Sequence, residues 1–517
     1  MALSRYGYSR RATDCESVAA RLQGERLRGM LSESAIAVLG EDLAAADYQL
    51  DGVAARLGDA ALAGLARNSA LPARRELADE FDAQADLIRL WLLADAVPVE
   101  RARRALSGLD DLVDAGVLER RGDQVQATVE LKPYGDESFS AWVCSDPTPL
   151  DGRSAPPRPD FVLGASPAST TLAQLIPRDR VRSVLDLGTG CGIQALHLAE
   201  HAEHIVATDL NPRALELAAI TLGLAGVSAD LRLGSLYEPV AEDRFDLIVT
   251  NPPYVISPPS RSELVYREGT QIGDGLMHTV VTEAVEHLNS DGTLIVLGNW
   301  AITDQPWQER LAEWIAPTGC DAMVLQREVL DPYEYIELWL ADAGLNGSSH
   351  YRQRYTEWLD YFDSCGIRHV GMGWLALRNT GRDQPQVRIE DWPHAVHQPV
   401  GPAIASDFAA VDASQLSDEH LLARRWRTHP GVVQETIGVP GARDPQHLVL
   451  RQQYGFGRAL EPGTALAAVV GACDGELPLS VLIGAVAALL QVEEIPMKAQ
   501  TLSQMRRLIA DGYVYPA

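Results

Sequence analysis

"SVLDLGTGCGIQALHLAE", residues 183–200, is the stretch of this 517-residue chain that decides its fold. An apolar run ends at Asp186, glycines follow at positions 188, 190 and 192, and a helical apolar pattern begins directly behind them. Glycine lets a backbone turn sharply and lets a ligand come within contact distance. The start of the following helix offers free N–H groups to that ligand. The stretch therefore predicts a strand, a ligand-binding loop and a helix.

The spacing of the glycines argues against a dinucleotide ligand. A pyrophosphate loop has the pattern GxGxxG, whereas this loop is GxGxG with Asp186 two residues before the first glycine. A methionine-type ligand carries an ammonium group and no phosphate, and the acidic loop can receive that ammonium. The next strand ends in "ATDLNPRAL", so Asp209 lies where a carboxylate can accept hydrogen bonds from both ribose hydroxyls. The alternative is that Asp186 caps the loop and Asp209 caps the next helix.

A second polar corner follows the strand in "FDLIVTNPPYVISPP", residues 245–259. Prolines cannot continue a strand, so this strand ends at Asn251. Ligands of parallel sheets lie outside the carboxyl ends of the strands, so we expect the corner beside the same ligand. The Asn251 side-chain carbonyl and the Pro252 backbone carbonyl can accept two hydrogen bonds from one –NH2 group, Pro253 fixes the backbone, and Tyr254 can stack on a planar group. The alternative is that Asn251 only caps the turn.

These motifs, in this order, resemble the class I S-adenosylmethionine-dependent methyltransferases. The corner at Asn251–Tyr254 is similar to the NPPY motif of amino and amide N-methyltransferases, and the resemblance covers roughly residues 160–380. It implies S-adenosyl-L-methionine as the cofactor and Asn251, Pro252, Pro253 and Tyr254 as the catalytic residues. The cofactor-binding residues that it implies are Asp186, Gly188, Thr189, Gly190, Gly192, Asp209, Leu210, Ser235, Leu236, Asn251 and Thr170.

The resemblance also gives each of these segments a role. The loop from Asp186 to Gly192 wraps the methionine part of the cofactor, and Asp209 holds the ribose. Ser235 stands where many relatives have an acid, so the contact to the adenine amino group is left open; Ser235 can still accept a hydrogen bond there, and Leu236 can pack on the ring. Thr170 is a candidate for the methionine carboxylate in the upstream segment "DFVLGASPASTTLAQL", although it can equally cap the helix there.

The methyl acceptor stays open at this stage. The NPPY group includes enzymes that methylate the glutamine amide of peptide release factors and enzymes that methylate the exocyclic amino groups of bases. "NPPYVISPP" followed by "LVYREGTQIGDGLMHTVV" is more similar to the glutamine branch, so we favour a protein substrate. The alternative is an RNA or DNA amino methyltransferase. A metabolite methyltransferase and a regulatory protein that senses the cofactor are further alternatives; an intact NPPY corner argues against the latter.

Composition restricts these alternatives. The net charge of −27 disfavours a nucleic-acid duplex, because a polyanion normally needs a basic face. The sequence contains no apolar run of about 18 residues, and the N-terminal "MALSRYGYSRRATDCES" does not have the pattern of a secretory signal, so we expect no membrane contact. The six cysteines are scattered without CxxC spacing or a neighbouring His cluster. This argues against a metal site and for a reducing, cytoplasmic compartment.

The chain divides into three predicted domains. Residues 1–150 are mainly helical and end in a pattern similar to a winged helix. The Pro- and Gly-rich stretch at 146–160 leads into residues 151–380, where strands and helices alternate as in a Rossmann-like α/β fold with a seven-stranded sheet. The pattern of residues 381–517 predicts an α+β domain with the strand pair "QVRIEDW" and "HLVLRQQYGF". Its end, "RRLIADGYVYP", is similar to "DDLVDAGVLERR" and indicates a second winged-helix-like segment.

Overall fold

The computed structural model describes residues 31–135, 139–152, 158–258, 272–440 and 446–517. Outside this described part lie residues 1–30, residues 153–157 of the Pro- and Gly-rich stretch, and residues 259–271 behind the Asn251 corner. The chain forms two compact units. The first comprises the described residues up to Ala173, Arg180–Cys320 and Val324–Arg382, and the second comprises Gln174–Asp179, Asp321–Met323 and Asp383–Ala517.

The first unit begins with short helices and two small sheets. The helices are α1 (Glu33–Ala45), α2 (Leu50–Leu65), α3 (Leu71–Glu76), α4 (Ala83–Trp91), α5 (Val99–Ala105) and α6 (Leu109–Asp114). The strands are β1 (Val97–Pro98), β2 (Leu118–Arg121), β3 (Gln124–Ala127), β4 (Glu130–Gly135) and β5 (Ser140–Ser145). β1, β3 and β2 form one antiparallel sheet in that order, and β4 pairs with β5.

The large sheet that follows places the candidate site. Its strands are β6 (Val181–Leu187), β7 (Ala202–Asp209), β8 (Asp230–Leu233), β9 (Phe245–Thr250), β10 (Leu288–Ile302), β11 (Asp321–Leu330) and β12 (His369–Arg378). Their order is β8-β7-β6-β9-β10-β12-β11. Pairings are parallel from β8 to β10, whereas β12 runs antiparallel to β10. The predicted α/β sheet is therefore observed, and its central strands are continuous apolar runs because both faces are covered.

Helices connect these strands. They are α7 (Pro167–Leu175), α8 (Ile193–Leu198), α9 (Pro212–Leu224), α10 (Gly275–Glu283), α11 (Trp307–Ile315), α12 (Pro332–Asp342) and α13 (Tyr351–Cys365). α12 and α13 both lie between β11 and β12 in the chain. Their apolar faces form a core of their own with Val255 and Ile256, the two residues that follow the Asn251–Tyr254 corner.

The N-terminal elements pack directly on α9. The Cys144 N–H, on β5, donates a hydrogen bond to the Thr221 hydroxyl at 2.9 Å. At the end of β5, buried Asp146 forms an ion pair with Arg213 of α9 at 2.5 Å and accepts a hydrogen bond from the Val162 N–H at 2.8 Å. The predicted N-terminal domain thus shares a compact unit with the sheet.

The second unit is a smaller α+β assembly. Its helices are α14 (Gly401–Ser414), α15 (Asp418–Ala423), α16 (Thr464–Gly471), α17 (Leu479–Leu490) and α18 (Glu494–Ala510). Its strands are β13 (Val387–Asp391), β14 (Arg425–Thr428), β15 (Val432–Ile437), β16 (His447–Gln452), β17 (Ala459–Leu460), β18 (Asp474–Pro478) and β19 (Val514–Pro516). β18-β14-β19 and β15-β16-β17 are separate three-stranded sheets.

The predicted strand pair of this unit is wrong in its pairing. "QVRIEDW" and "HLVLRQQYGF" do contain strands β13 and β16, but they lie in different sheets. β16 pairs with β15, its neighbour along the chain, because a short connection favours antiparallel pairing. β13 instead lies next to residues 321–323 of its own unit, where the Ala322 N–H donates to the Gln386 carbonyl.

Candidate active site

A cavity of about 220 Å³ lies at the carboxyl ends of β6, β7 and β9. Ten of the residues predicted for the site line it, namely Gly188, Thr189, Gly190, Asp209, Leu210, Ser235, Leu236, Asn251, Pro252 and Pro253. Four predicted residues, Asp186, Gly192, Thr170 and Tyr254, are not part of the lining. The topology therefore brings the glycine loop, the acid after β7 and the Asn251 corner to one place, as the sequence predicted.

The glycine loop has the backbone shape that its sequence requires. Gly188 and Gly190 have φ angles of 77° and 57°, a left-handed conformation that L side chains rarely adopt. A Cβ atom added at either glycine would meet nothing within 4 Å, so both border open space. The loop therefore leaves room for a ligand to contact its backbone.

Asp186 holds the loop from beneath. Its side chain is buried, and Oδ2 accepts hydrogen bonds from the Thr189 hydroxyl at 2.6 Å and from the Ala195 N–H at 3.0 Å. Burial raises the pKa of Asp186 to about 7. Because the carboxylate is directed into the loop and does not line the cavity, the structure favours the loop-capping alternative for this residue.

Asp209 has a different position. Its Oδ2 accepts a hydrogen bond from the Gly190 N–H at 2.9 Å and its Oδ1 accepts one from the Asn211 N–H at 2.8 Å. Burial raises the pKa of Asp209 above its usual range. The cap of α9 is Asn211, whose Oδ1 accepts from the Arg213 N–H at 3.0 Å, so Asp209 is not the helix cap. Its place on the cavity wall is compatible with the ribose role, which stays a prediction.

The segment after β8 forms another wall of the cavity. Leu236 has a φ angle of 46°, which is uncommon for a residue other than glycine. Such strained positions occur at ligand sites, where the surrounding structure holds them. The placement of Ser235 and Leu236 agrees with the predicted adenine contacts, which stay predictions.

Asn251 carries an unsatisfied acceptor. Its Oδ1 is buried, and among the described residues it has no hydrogen-bond partner. A buried acceptor without a donor costs about 1–3 kcal/mol. A polar atom of this kind on a cavity wall indicates that a ligand supplies the missing N–H or O–H. The turn-capping alternative would instead give Oδ1 a backbone donor.

Tyr254 turns away from the cavity toward α12. Its ring lies edge-on to Trp339, with 6.4 Å between the ring centroids and an interplanar angle of 68°. Burial, with a smaller effect from the charge of Asp342, raises the pKa of Tyr254. Stacking of Tyr254 on a ligand therefore stays a prediction, and the ring has a packing role as well.

Thr170 is displaced from its predicted role. It is exposed, and its hydroxyl donates to the Ser166 carbonyl at 3.1 Å within the same helical turn. Ser166 and Ser169 line the cavity instead, and each N–H of this pair donates to the hydroxyl of the other. Side chains on a helix point in directions that differ by about 100° per residue, which explains why an adjacent position takes the place.

Sequence reasoning missed several lining residues. They include Gln194 on α8 and Phe161–Gly164 in the segment before α7. The polar Gln194 between the apolar residues of "GIQAL" was an available signal. Among the residues that the structure describes, no group of three or more His, Cys, Asp or Glu side chains could hold a metal ion. Within the same ranges, no helix is both long and apolar enough to span a membrane.

Two known families match the chain. Residues 45–128 match a domain of unknown function (DUF7059), and residues 164–315 match the family described as "Methyltransferase small domain". The second match contains the glycine loop, Asp209, Leu236 and the Asn251 corner.

Three curated proteins give the range of similar enzymes. The ribosomal protein uL3 glutamine methyltransferase of Bradyrhizobium diazoefficiens is 38% identical over 128 residues, which are 22% of this chain and 40% of that protein. The release factor glutamine methyltransferase of Geobacter sulfurreducens is 38% identical over 22% of this chain and 44% of its own length. The ribosomal RNA small subunit methyltransferase C of Salmonella arizonae is 27% identical over 40% of this chain and 53% of its own. The chain thus spans about half, or less, of the length of these relatives.

Solved structures were also matched. The T. thermophilus 16S rRNA N2 G1207 methyltransferase in complex with AdoMet and guanosine matches 44% of this chain and 60% of its own at 19% identity, with a TM-score of 0.27. A methyltransferase from Pyrococcus furiosus matches 41% of this chain and 81% of its own length at 16% identity, with a TM-score of 0.26. Residues 164–315 of the chain, which hold most of the cavity wall, are the part that matches the methyltransferase small domain family.

Proposed function

We propose that this chain is an S-adenosylmethionine-dependent N-methyltransferase that methylates the side-chain amide nitrogen of a protein glutamine. The observation that carries the proposal is the buried Oδ1 of Asn251 on the cavity wall at the end of β9, which has no hydrogen-bond partner in the described part of the chain. An amide –NH2 group is the donor that this acceptor fits, and the adjacent Pro252 carbonyl offers the second acceptor.

The residues present fit the cofactor. The open space at Gly188 and Gly190 admits a ligand against the loop backbone, and Asp209 offers a carboxylate at the next strand end. Leu236 provides an apolar surface for a flat ring. When bound, the cofactor supplies an electrophilic methyl group on a positively charged sulfur.

The chain's own contribution is to position the acceptor. An amide nitrogen is a weak nucleophile because its lone pair is delocalised into the carbonyl group. Hydrogen bonds from its two N–H groups to Asn251 Oδ1 and the Pro252 carbonyl direct those hydrogens away from the methyl group, so the lone pair faces it. With the cofactor bound, the nitrogen held in this way would accept the methyl group from the sulfur, which would be left as a neutral thioether, and the surplus proton would pass to water. Positioning of this kind can supply roughly 7–11 kcal/mol.

Glutamine is favoured by two considerations. Two relatives that are 38% identical are named for glutamine methylation, of ribosomal protein uL3 and of a release factor. The net charge of −27 makes a protein a more suitable partner than a polyanion. A cytoplasmic location agrees with this partner and stays a prediction.

The second candidate is methylation of an exocyclic amino group in RNA or DNA. The order α4-β1-α5-α6-β2-β3, with β3 between β1 and β2, supports a winged-helix-like element, a type often used to hold nucleic acid. A relative that is 27% identical is named for ribosomal RNA. Submicromolar binding to RNA or DNA that weakens steeply with salt would favour nucleic-acid methylation over glutamine methylation. A metabolite methyltransferase and a cofactor sensor are lesser alternatives.

The experiment is transfer of a labelled methyl group into a cell lysate by the full chain. Label that disappears from the polymer fraction after protease treatment, and survives nuclease, supports the protein acceptor. The reverse pattern supports the second candidate. Label in neither polymer contradicts both and favours a metabolite. Asn251→Ala should abolish most of the label, whereas Asn289→Ala is a matched control, because the Asn289 amide is already paired with Asp246 at 2.7 Å.

A further inference from the structure

Gln194 is a buried polar side chain that no predicted role explains. It lies in the first turn of α8 between apolar buried neighbours, is 4% exposed and lines the cavity. A helix that only packed against the sheet would need an apolar side chain there.

The hydrogen bonds fix the orientation of its amide. The Gln194 Nε2 donates to the backbone carbonyl of Ser169 at 2.8 Å. A carbonyl can only accept, so the atom facing Ser169 is the nitrogen and the other terminal atom is the oxygen. That oxygen, Oε1, is buried and has no hydrogen-bond partner among the residues that the structure describes. The cavity therefore contains two unsatisfied acceptors, one at Asn251 and one at Gln194.

The two acceptors call for two donors. Asn251 takes the amide of the methyl acceptor, under the proposed function. Gln194 lies beside the glycine loop, with Ser166 and Ser169 on the same wall, where the methionine part of the cofactor belongs. The carboxylate first expected to receive the ammonium of that part, Asp186, is bonded to Thr189 and to the Ala195 N–H and does not line the cavity. An ammonium carries three N–H donors and no acceptor.

We propose that the side-chain carbonyl of Gln194 accepts a hydrogen bond from the ammonium group of the cofactor's methionine part. Gln194 then has two functions: its nitrogen bonds α8 to Ser169 of α7, and its oxygen recognises the amino-acid end of the ligand. This inference rests on the proposed function, since it requires that cofactor.

The test compares two ligands by calorimetry. S-adenosylhomocysteine has the amino-acid end, whereas 5′-methylthioadenosine keeps the adenine, ribose and sulfur and lacks it. Gln194→Leu removes the acceptor and should weaken S-adenosylhomocysteine binding about tenfold, because the lost bond is to a charged donor. Binding of 5′-methylthioadenosine should stay within about twofold of wild type. Asp209→Ala is the matched control and should weaken both ligands alike, because both carry the ribose.

Gln194→Glu separates recognition from structure. It keeps an acceptor for the ammonium but loses the donor to Ser169, so S-adenosylhomocysteine affinity should exceed that of the Leu variant by about tenfold. Equal losses for both ligands in Gln194→Leu, or equal affinities of the Leu and Glu variants for S-adenosylhomocysteine, would show that Gln194 only ties two helices and would overturn the inference. If the Leu variant does not fold, the Glu variant still tests the inference. A Glu variant that binds 5′-methylthioadenosine normally but has lost affinity for S-adenosylhomocysteine would overturn it, and one that keeps its affinity for S-adenosylhomocysteine would support it. Failure of the wild-type chain to bind S-adenosylhomocysteine would instead refute the proposed cofactor.

Discussion

The backbone N–H of Ile256 donates a hydrogen bond to the hydroxyl oxygen of Tyr335 at 2.9 Å. The same oxygen accepts from the Asn299 side-chain amide at 3.0 Å, and the Ile256 carbonyl accepts from the Trp358 indole N–H at 2.8 Å. Both backbone groups of the residue two places after Tyr254 are thus held by α12 and α13. These helices therefore fix the direction in which the chain leaves the Asn251 corner.

Tyr335→Phe should disturb the Asn251–Tyr254 corner and leave the glycine loop and Asp209 unchanged. It leaves the Ile256 N–H and the Asn299 amide as buried donors without an acceptor, at about 1–3 kcal/mol for each. We expect a lower melting temperature and a lower methyl-transfer rate, with S-adenosylhomocysteine affinity close to wild type. Tyr355→Phe is the control, because that hydroxyl bonds exposed Glu337 at 3.1 Å and its loss should change stability by less than about 0.5 kcal/mol. Similar effects of the two substitutions would contradict the anchoring role.

Asn251→Ala should affect methyl transfer far more than folding. Within the described residues its Oδ1 makes no hydrogen bond that the fold would lose. One positioned polar contact in a closed site is worth about 2.7–4 kcal/mol, so single-turnover transfer should fall by roughly a hundred- to a thousandfold. Calorimetry should give nearly unchanged S-adenosylhomocysteine affinity. A large drop in melting temperature with near-normal transfer would show that Asn251 caps the turn.

Asp186 should make stability depend on pH. Burial raises its pKa from the ordinary value of 3.8 to about 7, so ionisation is more costly in the folded chain. A raised pKa contributes stability that is full below the unfolded value of 3.8 and is lost as the pH rises to about 7. The melting temperature of wild type relative to Asp186→Asn, which cannot ionise, should therefore fall between about pH 5 and pH 7 and level off above. A constant difference over this interval would show that the carboxyl is ionised throughout.

Breaking the buried Arg213–Asp146 pair should strongly destabilise the first unit. Both side chains are at most 5% exposed. Arg213→Met leaves a buried carboxylate without its partner, which typically costs about 3–5 kcal/mol. Arg182→Met should cost about 0–1 kcal/mol, because Arg182 is 79% exposed and lies 3.6 Å from Asp246. Denaturation of the two variants side by side checks this, and comparable losses would contradict it.

The sequence was informative about what lies at a strand end and less informative about side-chain direction. The alternation of apolar strands and amphipathic helices, together with the glycine spacing, was enough to place Gly190, Asp209 and Asn251 around one cavity, because parallel strands bring their carboxyl ends together. Asp186 was expected to face the ligand, and its actual direction depends on Thr189 and a backbone N–H that only the folded loop supplies.

Long-range partners explain the remaining differences. The anchoring of Ile256 joins residues 79 positions apart, and the pairing of β13 joins segments more than 60 positions apart. Periodicity carries no information about such contacts. Thr170 and Ser169 are adjacent in the sequence, so which of the two side chains lines the cavity depends on the rotation of α7 about its axis.

The most direct test of the central claim is the chemical form of the transferred methyl group. Labelled protein from the lysate reaction should be hydrolysed in acid, which cleaves amides. A methyl group on a glutamine amide is then released as labelled methylammonium, which distils as volatile methylamine once the hydrolysate is made alkaline, and Asn251→Ala should give almost none. That result is the one predicted. Label that stays in a non-volatile amino acid or in a methylated base would contradict glutamine amide methylation.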